Sequence, residues 1–439
     1  MTRPARLLPL FGLLFFALSG LPPFAGAAAA VEIEHWRTPQ GIDVYHVQRT
    51  ELPMLDVRLV FDAGSARDGD DYGLANLSAH LLGRGAGGLD ADEIAMRFEH
   101  VGAQYSASVG RDMTSLSLRT LVAPDYIRQA IDTFVTVLSQ PDFPPVEFER
   151  LKKQVLTGIE KRAQEPGTLA GLAFSRAIYR GHPYAHSPQG EKDSVAAITL
   201  KDVRAFYRRY LVTRNLTMVV VGDLARPRVE AFAARVAAAL PPGAAPAPLP
   251  PLRDITAPRE IRVPFKSAQA HVFMGQPAVA HDHADFFPLY LGNHILGGSG
   301  FGSRLIETVR VANGYAYSIW SYFVHRRERG AFVVGFETRA DQAEDAIALT
   351  RNVIAEFKRN GPQDAELALA KDNVQGGFPI RTSDNGKILD WVTRIAVHRL
   401  DLDFLDTFVG KVRQVEKDDI VRAFRNRIAD DLTVVVVGG

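Results

Sequence analysis

Two runs of β-branched residues, NLTMVVVGDL at 215–224 and DLTVVVVGG at 431–439, have the length and composition of buried strands, and both end on glycine. Each follows a stretch with helically spaced apolar positions and a charged face, AAITLKDVRAFYRRYL at 196–211 and RQVEKDDIVRAFRNRI at 413–428. The same ending occurs twice, with Leu216 and Leu432 differing by 216 positions, and so predicts tandem copies of one domain.

Within the first copy the pattern predicts strands at 42–47, 55–62 and 115–121. Helical spacing falls at 73–82, 91–101, 124–138, 145–162 and 168–179. The second copy repeats this order, with strands at 269–276 and 331–338 and helices at 286–296, 339–360 and 362–376. Strands and helices mixed without strict alternation imply an α+β fold: two tandem homologous α/β sandwich domains, each a mostly antiparallel sheet with helices on one face. Between the copies, residues 241–260 are too rich in proline for a helix or a central strand and read as an extended, semi-rigid linker. The expected domains are therefore 31–240 and 261–439.

The N-terminus changes the picture at one point. Arg3 and Arg6, an apolar run at 7–18 and a small-residue tail to Ala30 read as a signal peptide over 1–30. That run is short for a bilayer span, so no stable membrane anchor is expected once it is removed. Cysteine is absent, which excludes a disulfide framework, and a periplasmic or secreted location fits. Lys plus Arg is 51 against 50 for Asp plus Glu, with both signs interspersed, so nothing in the charge pattern invites nucleic acid.

The candidate chemistry begins at GLANLSAHLLGRGA, 73–86. This stretch resembles the helix of the pitrilysin/insulinase-type zinc peptidases, in which G-L-A-H-x-x-E-H carries an inverted zinc motif, H-x-x-E-H. That motif works because residues four apart share a helix face, so two imidazoles grip one ion while the glutamate activates water. Here the first ligand position holds Asn76, the glutamate position holds Ala79, and only the second histidine remains, as His80. The resemblance implies a third ligand from a later helix, where LKKQVLTGIEKRAQEPG (151–167) offers Thr157 or Gly158, with Glu160 the nearest acid. One imidazole and one displaced carboxylate leave zinc short of three protein ligands. Losing the general base alone typically costs about 10²–10⁴-fold in rate. No cofactor is therefore expected in this chain. HDH at 281–283 reads as a polar turn, and HPYAH at 182–186 matches a structural loop of the same family.

The second copy carries LGGSGFGSRLIETVRVANGYAYSIWSYF, 296–323, which resembles the family's C-terminal signature: a glycine-rich loop, S-R-L, a helix, then R-x-x-x-x-G-x-A-Y-S. Arg310 and Tyr317 occupy the arginine and tyrosine of that signature. The resemblance implies that they contact substrate or the developing oxyanion, with Gly298, Gly300 and Ser303 of the loop as substrate-binding positions. No Lys-Ser/Thr follows the glycines, which disfavours a nucleotide site.

In two-chain members of the family, one subunit holds zinc and the other brings the Arg/Tyr pair. The resemblance thus implies the non-zinc-binding subunit of a heterodimeric periplasmic zinc peptidase. Its partner would be a homologous chain with an intact H-x-x-E-H and zinc, its substrate a peptide, and its linker would help the pair close like a clamshell. The alternatives are a catalytically inert scaffold or peptide-binding homologue, and an autonomous peptidase with an unusual ligand set.

Overall fold

The computed structural model describes residues 31–253 and 259–439; the signal-type segment 1–30 lies outside the described residues. The first half supplies β1 (Glu34–Arg37), β2 (Asp43–Gln48), β3 (Met54–Phe61), a two-residue hairpin of β4 (Gly85–Ala86) and β5 (Leu89–Asp90), β6 (Gln104–Val109), β7 (Thr114–Leu121) and β8 (Leu216–Gly222). The second half supplies β9 (Glu260–Val263), β10 (Gln269–Pro277), β11 (Ser318–Val324), β12 (Ala331–Arg339) and β13 (Thr433–Val437).

Sheet order exposes the repeat. The first sheet runs β1, β2, β8, β3, β7, β6 and the second β9, β13, β10, β12, β11. With β1 set aside, the two orders are the same. In each sheet one pair is parallel, β2 with β8 (Val44 level with Met218) and β9 with β13 (Ile261 level with Val435). The other pairs are antiparallel, such as β3 with β7 (Val57 opposite Leu118) and β10 with β12 (Val272 opposite Phe336). The two glycine-ended runs at 215–224 and 431–439 become β8 and β13, equivalent central strands of the two sheets.

Alternation along each strand sends side chains to opposite faces. On β8, Leu216, Met218 and Val220 join the core formed with the first half's own helices. Val219 and Val221 point the other way, and that second face is covered from outside the half. The helix Asn385–His398 of the second half lies across β8 and β3. Asp384 caps its start by accepting from Lys387 N at 2.9 Å. Its Ile388, Leu389, Val392 and Ile395 are buried in one cluster with Tyr45, Val47, Val219 and Val221. The second half receives the same service. Helix Pro166–Ile178 of the first half lies against β10 and β13 and sets Ala170, Phe174 and Ile178 on Val333, Val435 and Val437. The own-half helices do cover one face of each sheet, and the opposite face carries one helix exchanged from the other half.

Burying a side chain of this size contributes about 1.5–3 kcal/mol, so the exchanged helices tie the halves with energies comparable to a domain core. Residues 31–439 accordingly form one compact unit. Polar links follow the same seam: Arg58 donates to Asp390 at 2.7 Å, and Asp62 accepts from both Arg67 (2.7 Å) and Arg327. Residues 241–253 have no regular structure and are strapped down by Arg67 donating to Ala247 O at 2.8 Å and by a His182 Nε2 contact with Pro250 O at 2.9 Å. Among the described residues no helix is long and apolar enough to cross a membrane.

Candidate functional site

The helix matching the zinc motif is Leu74–Leu81. Asp68 starts it, accepting from the N–H groups of Gly73 and Ala75, each at 2.8 Å. Burial pushes the Asp68 carboxyl up from its ordinary value, against His186, whose Nε2 lies 3.4 Å away. His186 and His182 of HPYAH thus brace loops. On the helix, Ala79 is buried and offers a methyl group where a water-activating carboxylate would stand. His80 Nδ1 pairs with the carbonyl of Asn76 at 2.8 Å, which commits one ring nitrogen to its own helix. The helix Pro145–Arg162 packs against it as the third-ligand helix should. Its Thr157, however, donates to Lys153 O at 3.0 Å, and Glu160 pairs with Lys192 at 2.8 Å. Among the described residues no three His, Cys, Asp or Glu side chains gather to hold a metal ion. The residues present at the zinc positions do not fit the ion.

The second candidate region is built around a wide helical turn. Ile306–Ala312 winds with π-type hydrogen bonding, a geometry that recurs at functional sites. Gly314 ends it at φ +66°, with its N–H returning to Arg310 O at 3.0 Å. Only glycine takes that conformation without strain. The reversal feeds the chain into edge strand β11, and the seven-residue spacing brings Tyr317 back beside Arg310. The Arg310 guanidinium carbon lies 5.5 Å from the Tyr317 ring centre. On its other side Phe301 stands at 5.0 Å. Both rings are freely exposed, 82 % for Tyr317 and 79 % for Phe301. Arg310 makes no ion pair among the described residues, so its donors remain available between two aromatic faces. Motif matching missed Phe301; a lone bulky aromatic in a Gly/Ser loop was the available signal.

The loop residues separate into two groups. A Cβ on Gly298 would lie 2.7 Å from Asn293 Nδ2, so this glycine permits close packing. Asn293 in turn holds β11, donating to Ser321 O at 3.0 Å and accepting from Ser321 Oγ at 2.8 Å. Gly300 has φ +74° and open space around it, and shapes the exposed tip that carries Phe301. Ser303 is fully buried, with its hydroxyl unpartnered. Its hydroxyl is therefore turned into the chain and away from the exposed tip of the loop. Next to it Arg304 grips Glu366 through two nitrogens, at 2.8 and 2.6 Å, and anchors the loop to the helix Asp364–Gly377.

The turn expected at 281–283 lies between β10 and the helix Phe286–Asn293, with Asp282 exposed and His283 half-buried, but its first residue turns inward. His281 is 2 % exposed, stacked on Phe286, with His325 and His398 at ring distances of 4.5 and 4.8 Å. Neither His281 ring nitrogen has a hydrogen-bond partner. Burial, reinforced by its histidine neighbours and Arg394, pushes His281 down to about 2. Burial likewise pushes His325 to about 3 and His398 to about 4. All three are neutral near pH 7.

A twice-built α+β chain with a helix at the inverted zinc motif and a glycine loop leading to an Arg/Tyr pair defines a peptidase-type architecture from which the metal ligands are missing. The chain belongs to the M16, or insulinase, family of peptidases. Residues 47–190 match Insulinase (Peptidase family M16) and residues 197–374 match the Peptidase M16 inactive domain. The crystal structure of a peptidase M16 inactive domain from Pseudomonas fluorescens is 35% identical and superposes with a TM-score of 0.89, covering 92% of this chain and 97% of that one. The non-peptidase homolog YmxG of Helicobacter pylori is 27% identical over 94% of both chains. An uncharacterized zinc protease of Streptomyces coelicolor is 24% identical, over 83% of this chain and 80% of its own.

Proposed function

We propose that this chain is the non-zinc subunit of a two-chain periplasmic M16 peptidase, lending Arg310 and Tyr317 to a site whose metal belongs to a homologous partner with an intact H-x-x-E-H. The observation that carries this reading is the uncommitted Arg310 guanidinium held between exposed Tyr317 and Phe301. Phe301 and Tyr317 flank Arg310 as one exposed aromatic patch, and contiguous patches of this kind mark interaction surfaces. Peptide hydrolysis develops negative charge on the carbonyl oxygen. A phenol hydroxyl and a guanidinium aimed at that oxygen or at the adjacent peptide backbone stabilise it, most effectively once a partner has excluded water. The relative named a non-peptidase homolog, and the match to the inactive domain, support a chain that does not cleave peptides alone.

The test uses this chain combined with a zinc-bearing M16 chain from the same genome. Arg310→Ala and Tyr317→Phe should each lower turnover of an unstructured peptide by about 10²–10³-fold while leaving association of the chains unchanged. Unchanged turnover would reject the complementing role. The inert-scaffold reading draws on the same absence of metal ligands, and it wins if the two chains associate and neither substitution matters. Metal analysis of the purified chain separates the autonomous reading: zinc should stay well below one equivalent.

A further inference from the structure

A cavity of about 310 Å³ lies on the seam between the two halves, at the small end of the range used by ligand sites. The exchanged helix Pro166–Ile178 walls one side and strands β10, β11 and β12 the other. Its floor is apolar and aromatic, with Phe174 and Phe273 at a ring distance of 5.9 Å beside Ile178 and Val324. Among the residues that line it, only Arg111 and Arg326 are charged. They arrive from opposite halves, Arg111 from the turn between β6 and β7 and Arg326 from the loop after β11.

Neither arginine makes an ion pair among the described residues. Arg111 Nε donates to Tyr184 O at 2.8 Å, and the rest of its guanidinium is not so engaged. Arg326 packs over the Tyr184 ring, and its Nε is buried without a partner. Burial, with Arg326 as the next cause, lowers Arg111 to about 10. The Asp112 charge favours the Arg111 guanidinium, but both its oxygens are hydrogen-bonded elsewhere, Tyr184 Oη donating to one and Arg327 N to the other. Tyr179, 2 % exposed, also lines the cavity, with its hydroxyl facing the Arg326 guanidinium. Two like charges brought together in a half-buried cleft form an unfavourable arrangement that an entering anion relieves. A planar carboxylate is the anion that guanidinium forks match best.

We propose that this seam cavity binds a carboxylate carried on an apolar or aromatic body, with the carboxylate between Arg111 and Arg326 and the body on the phenylalanine floor. Such a ligand is either a small free acid or the C-terminal hydrophobic residue of a peptide. Because the halves contribute one arginine each, the ligand bridges them and raises thermal stability.

The experiment is calorimetric titration and thermal denaturation of the whole chain with phenylacetate, with a short peptide ending in phenylalanine, with the C-terminal amide of that peptide, and with inorganic phosphate. Phenylacetate or the peptide acid should bind and raise Tm, and the amide should not. Arg326→Met, which keeps the apolar stem, should weaken binding at least tenfold; Arg111→Gln should do the same if it folds. Tighter binding of the peptide acid assigns the peptide source, and tighter binding of phenylacetate assigns a free acid. No binding of either acid, equal binding of acid and amide, binding of phosphate as tightly as the acids, or binding untouched by Arg326→Met would overturn the proposal.

Discussion

His281 shows how much a single residue's meaning depends on partners distant in sequence. The histidines of HDH are legible at 281 and 283, but His325 and His398, which make the first of them a core residue, lie far along the chain. The consequence is a pH dependence whose sign is fixed. All three rings stay neutral in the folded state well below the 6.5 typical of an unfolded chain, so the unfolded state binds more protons as pH falls. Their contribution to stability is complete above about pH 6.5 and is lost as pH drops towards 4, at up to about 1.4 kcal/mol per pH unit for each histidine. Urea midpoints at pH 7.5 and pH 5 should differ accordingly, and His281→Phe, which suits the neighbouring Phe286 and Phe404, should flatten that difference. Arg310 and Tyr317 present the opposite case. They were legible through the resemblance to a signature whose parts all lie in one short segment, and the structure shows Gly314 turning the chain back between them.

Elements repeat the lesson at a larger length. The helices Pro124–Ser139 and Pro145–Arg162 match the sequence reading to within a residue, because a proline fixes each start and helical spacing continues without a break. Strands β8 and β13 were equally plain as apolar runs stopped by glycine. The pattern reading assigned no element to Asn385–His398 and no strand to β11. Ile388 and Val392 declare an apolar stripe, but no local feature says that a sheet more than 160 positions earlier, at β8, awaits it. Its weight can be measured. Ile388 is fully buried, so Ile388→Ala should cost about 2–5 kcal/mol by denaturant unfolding. Asp390→Asn on the exposed side of the same helix should cost no more than about 1 kcal/mol, because Asp390 itself stands in solvent beside Arg58.

At the scale of the molecule, the tandem repeat was visible and the interlacing of its copies was not. Each copy lends the other a helix, so neither sheet is covered on both faces by its own half. The described part of the connecting segment, 241–253, then carries little of the load. Cutting it with a protease should leave both pieces associated through gel filtration, and melting should remain a single cooperative transition at nearly the original Tm. Either piece expressed alone should aggregate, since it would expose the apolar face that its missing neighbour normally covers. In effect the gene encodes a dimer whose two members have been stitched end to end, and whatever opens to admit a substrate must open outside that stitch.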